Sequence, residues 1–68
     1  MIPYANLHGG SGVLGYELEP SSLVVTFRGG GRYRYSGSDA ARMSQLAQSG
    51  RGLNTFINVH KPGFTKLR

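Results

Sequence analysis

The chain has 68 residues and a mass of 7.3 kDa, too short for two cores, and folding of so small a domain buries only ~60% of the unfolded surface, which argues against a deep catalytic cleft. It contains no cysteine, which excludes disulfides, thiolate metal sites and cysteine nucleophiles and points to a cytoplasmic setting; no apolar run approaches the ~20 residues of a membrane span, and the N-terminus lacks the order of a signal peptide. Eight Lys and Arg against three acids give a net charge of +5, with Glu17 and Glu19 early and every base after residue 20, an imbalance that favours an anionic partner.

Residues 1–11 mix turn formers without a sustained period and read as an extended N-terminal arm that Ile2, Tyr4 and Leu7 would pin to the domain, 12–68. Alternation over 12–19 predicts a first strand with Leu14, Tyr16 and Leu18 on one face. Pro20-Ser21-Ser22 makes a turn into a second strand, 23–28, whose Leu23, Val25 and Phe27 share a face. Gly29-Gly30-Gly31 then reads as the loop of a hairpin into a third strand, 32–36. In that register Arg28 opposes Arg32, Phe27 opposes Tyr33 and Val25 opposes Tyr35; across the earlier turn Leu18 pairs with Leu23, Tyr16 with Val25 and Leu14 with Phe27. One face of the meander is then oily and needs a cover.

The cover comes next. Ser38-Asp39 reads as a helix N-cap with an acid in the first turn, followed by Ala40, Met43, Leu46 and Ala47 at helical spacing and Gly50 as the stop. Leu53, Phe56, Ile57 and His60 repeat the helical spacing before Pro62-Gly63. Phe64 and Leu67 punctuate a basic tail, 61–68, whose pattern favours no element. The expected fold is α+β: a three-stranded antiparallel β-meander with two short helices packed on one face.

Gly15-Tyr16, Val24-Val25-Thr26-Phe27, a glycine turn, Tyr33-Arg34-Tyr35, a helix, and Gly50 followed by Asn54-Thr55-Phe56-Ile57 and Pro62 together resemble the KTSC domain, found at the C-terminus of some lysyl-tRNA synthetases and as small bacterial proteins. The resemblance covers roughly residues 11–68 and implies an RNA-binding role.

Read from the residues, Arg28, Arg32 and Arg34 form a basic sheet face, and arginines set opposite one another repel unless an anion sits between them. A phosphate there would meet the arginines and the Gly29-Gly30-Gly31 backbone, which has no Cβ to keep it away. The same arginines would also serve as a solvated wet face that discourages edge aggregation. Arg51 between two glycines, and Lys61, Lys66 and Arg68 in the tail, extend the candidate footprint. Tyr33 and Tyr35 invite base stacking, but their period places them on the oily face with Phe27 and Val25, as core. His8 and His60, far apart and without cysteine, make no metal site, and two histidines and three acids so scattered make no catalytic arrangement. The expectation is a binding module and not an enzyme, with no cofactor: a nucleic-acid binder, RNA first. The rival is a protein-binding inhibitor from a phage or mobile element, such as an anti-CRISPR protein, that blocks a host nucleic-acid-handling complex.

Overall fold

The computed structural model describes residues 1–5, Leu7 and residues 12–67; Asn6, His8, Gly9, Gly10, Ser11 and Arg68 lie outside the described residues. The middle of the arm and the last of the expected basic contacts therefore have no structural account. The described chain is α+β, in the order β1 (Ile2–Pro3), β2 (Val13–Glu19), β3 (Ser22–Phe27), β4 (Arg32–Ser36), α1 (Ser38–Ser49), α2 (Leu53–His60) and β5 (Phe64–Lys66). The sheet has five antiparallel strands in sequence order, not three. The two extra strands come from the arm and the basic tail, and at two and three residues they are too short to display a period of their own. Their pairing is supplied by the open backbone edges of β2 and β4.

What docks the arm is partly a glycine. A Cβ at Gly15 would lie 2.7 Å from the Ile2 carbonyl oxygen and 2.7 Å from Met1 Cγ, so a side chain there would push β1 off the sheet. Beyond β1, Tyr4 is buried at 8% exposure, and its hydroxyl accepts a hydrogen bond from the Leu53 backbone N–H. Ile2 and Leu7, also expected to pin the arm, have exposed side chains; Leu7 instead donates its N–H to the Gly50 carbonyl at 2.7 Å.

Two features of the sheet differ from the alternation read along the chain. Leu18 pairs with Leu23 and Tyr16 with Val25 as expected, but a bulge between Val13 and Gly15 sets Val13, not Leu14, opposite Phe27. The extra residue switches faces: Val13 is 3% exposed and Leu14 is 45% exposed. In the β3–β4 hairpin, Val25 pairs with Tyr33, Leu23 with Tyr35 and Thr26 with Arg32. Phe27 therefore faces Gly31, to whose carbonyl it donates its N–H, and the loop is Arg28-Gly29-Gly30. Arg28 does not oppose Arg32. The partner of each residue has moved by two, which keeps the faces intact while removing the clash of like charges.

On the covered face, Leu23, Val25, Tyr16, Tyr35 and Val13 pack against Met43 and Ala47 of α1 and Leu53 of α2. Helix α1 is capped by Gly37, with no side-chain cap bond, so Ser38 lies inside the helix and not at its cap. A glycine leaving β4 at φ 78° makes the reversal into the helix that Ser38 cannot make with helical torsions. Gly50, left-handed, ends α1 as expected. Lys61 caps α2 at φ 47°, and the buried Pro62 follows it. Among the described residues no helix is long and apolar enough to cross a membrane.

The bulge makes a direct prediction. Val13→Ala should cost about 1–3 kcal/mol in urea unfolding, as expected for a buried aliphatic chain, whereas Leu14→Ala should stay within about 0.5 kcal/mol. The reverse order would place Leu14 in the core and remove the bulge.

Candidate functional site

The face of the sheet away from the helices carries the charge. Its rows run Glu17, Val24, Arg34, Thr65 and Gly15, Thr26, Arg32. Both arginines lean one row across β3 to reach acids on β2. Arg32 Nη2 donates to Glu17 Oε1 at 3.0 Å, and Arg34 makes a two-pronged contact with Glu19, Nε to Oε1 at 2.9 Å and Nη2 to Oε2 at 3.1 Å. The Ser22 hydroxyl adds a third hydrogen bond to Glu19 at 2.6 Å. Val24, which lies outside the helix-facing cluster, is 1% exposed in the row between Glu17 and Arg34, where long charged side chains can cover apolar surface with their stems. The arginine face expected to be bare is a sheet-spanning pair of ion pairs that seals the second side of β3.

The electrostatics follow the geometry. The Arg34 hydrogen bonds, then the Ser22 hydroxyl, hold the Glu19 carboxyl down to about 2, and the same partner raises the Arg34 guanidinium above its ordinary value.

At the β3–β4 loop the chemistry changes. Gly29 and Gly30 sit at φ 91° and 93°, a conformation that β-carbon-bearing residues avoid, and the loop they form separates two hollows. One, of about 460 Å³, is lined by Phe27, Tyr33, Tyr35 and Phe64 with Arg28, Gly29 and Gly31. The other, of about 690 Å³, is lined by Thr26, Arg32 and Lys66 with Gly29, Gly30, Gly31 and again Tyr33. Arg28 is exposed in the turn, its backbone N–H bonded to the Gly12 carbonyl at 2.7 Å. Neither the Arg28 nor the Lys66 side chain has an acidic partner among the described residues.

The tyrosines separate. Tyr35 is 3% exposed and belongs to the core, where burial, and secondarily Tyr33, push its phenol above the ordinary value. Tyr33 is half-buried and lines both hollows. It meets Phe27 edge-on at 5.5 Å and Phe64 edge-on at 5.0 Å. Phe64 itself is 59% exposed.

Of the basic residues expected at the site, the structure brings Arg28, Arg32 and Lys66 together around the glycine loop and places Arg34 in the Glu19 pair. Arg51 lies at the α1–α2 junction and Lys61 at the end of α2; neither lines these hollows. Arg68 lies outside the described residues. Sequence reasoning passed over Phe64 as an aromatic in a tail without period, and Glu17 and Glu19 as partners for Arg32 and Arg34. The second signal was present as two acids and two bases, each pair two residues apart on strands that flank a third. No family model matches the chain, nor does any curated protein or solved structure.

The Glu19–Arg34 pair predicts an acid dependence. A carboxyl whose folded value is depressed stabilises the fold above its ordinary value of 4.5 and loses that contribution as pH falls toward about 2. The melting temperature of the parent chain should exceed that of Glu19→Gln at pH 6, and the gap should close between pH 4.5 and 2. A gap that persists at pH 2 would mean the pair is not what separates them.

Proposed function

We propose that the chain is a small nucleic-acid-binding module, RNA in the first place, that binds and does not catalyse, and that acts in the cytoplasm. The observation that carries this reading is the Arg28-Gly29-Gly30-Gly31 loop. Gly29, Gly30 and Gly31 leave its backbone open, Arg28 stands in the turn beside the aromatic hollow, and Arg32 of β4 and Lys66 of β5 line the second hollow. Phosphate is recognised by such a combination of backbone approach and converging cations. Arg32 has one terminal nitrogen committed to Glu17 and has further N–H donors; among the described residues Arg28 and Lys66 have no acidic partner. The resemblance of residues 11–68 to the KTSC domain supports the same assignment. Arg34 serves the sheet in this account, and Arg51 and Lys61 add charge at a distance.

Reversing charge at the loop should separate binding from folding. Arg28→Glu with Lys66→Glu should weaken oligouridylate binding by more than about tenfold at low salt and flatten the slope of log affinity against log salt by roughly two, with the circular dichroism spectrum unchanged. Arg42→Glu, on the exposed side of α1, should change affinity far less. Unchanged binding in the double variant would overturn the reading, as would a partner recovered from lysate that survives nuclease treatment.

A further inference from the structure

We infer that the aromatic hollow receives an unstacked nucleobase, so that the chain selects single-stranded over duplex nucleic acid. The inference rests on the phosphate reading above and specifies what fills the adjoining groove. Three features carry it. First, Phe64 lies 59% exposed against Tyr33 and Tyr35, an aromatic surface that the described residues leave more than half open. The contacts Tyr33 makes with Phe27 and Phe64 are edge-to-face, at 76° and 88° between ring planes, and the exposed surface of Phe64 is what a planar base would cover. Second, the groove is of about 460 Å³, within the ~300–1,000 Å³ range of small-ligand sites.

Third, the apolar groove adjoins the basic hollow, with Tyr33 and the glycine loop belonging to both. A nucleotide has that same division into a flat apolar base and an anionic phosphate, and a base still stacked within a duplex cannot present its face to Phe64. A proline-rich peptide also suits an aromatic groove, but it brings no negative charge for Arg28 and Lys66 to meet. Charge complementarity favours the nucleotide.

The experiment compares the full chain and its Phe64→Ala variant for binding to a short oligouridylate and to an RNA duplex with equal phosphate count, across a salt series. Phe64 lies on an edge strand and is exposed, so its loss leaves the fold intact. The expected result is tighter binding of the single strand. Phe64→Ala should weaken it roughly five- to a hundred-fold while the salt slope stays the same, and Tyr33→Leu should act in the same direction. Equal affinity for strand and duplex, or a Phe64→Ala variant that binds oligouridylate like the parent, would overturn the stacking inference and leave the phosphate reading standing. Displacement of the oligouridylate by an uncharged proline-rich peptide would overturn it in favour of a peptide groove. Failure to bind either nucleic acid at low salt would overturn both.

Discussion

Strand β3 is buried on both faces, and the rest of the domain is arranged to keep it so. On one side Leu23 and Val25 lie at 0% exposure against Met43 and Leu53. On the other, Val24 and Thr26 are buried in the rows from which Arg34 and Arg32 of β4 reach across to Glu19 and Glu17 of β2. In a chain of this size, a sheet covered by helices on one side only would leave its central strand wet on the other. Crossing ion pairs with long stems provide the second cover without a second layer of helices. At the surface such pairs contribute little through their charges alone; their larger effect is on what lies under them.

The same arrangement sorts the bases by role. With Glu17 and Glu19 engaged by Arg32 and Arg34, and Asp39 in the first turn of α1, the acids are placed away from the β3–β4 loop. The two hollows at the loop end of the sheet are lined by Arg28, Arg32 and Lys66 and by no acid among the described residues. The register explains how. Had Phe27 paired with Tyr33, Arg28 would face Arg32 and be held in the ladder; with Phe27 facing Gly31, Arg28 passes into the turn. One same-face step in pairing thus moves a cation from the wet face to the edge of an aromatic groove.

Much of this was legible in the chain. The alternation of Leu23, Val25 and Phe27 and of Tyr33 and Tyr35 gave the covered face, because a slip of two preserves it. The helical spacing from Ala40 to Ala47 and from Leu53 to Ile57 gave the cover. Three things were not legible, each for a physical reason. The Val13–Gly15 bulge interrupts a period without changing composition. The edge strands of two and three residues borrow their pairing from longer neighbours. Phe64 acquires meaning only when β5 sets it beside Tyr35 and Tyr33. At the candidate site, the glycines and Arg28 could be read directly, while the pairing of Arg32 and Arg34 required strands that are not adjacent to be brought within reach across β3.

The division between paired and unpaired cations is tested most directly by following backbone amide resonances as oligouridylate is added to the full chain at low salt. The account predicts that the largest shifts fall on residues 28–33 and 64–67, with Glu19, Val24 and Arg34 little moved. Largest shifts centred on Glu19, Val24 and Arg34, or on α2, would contradict it.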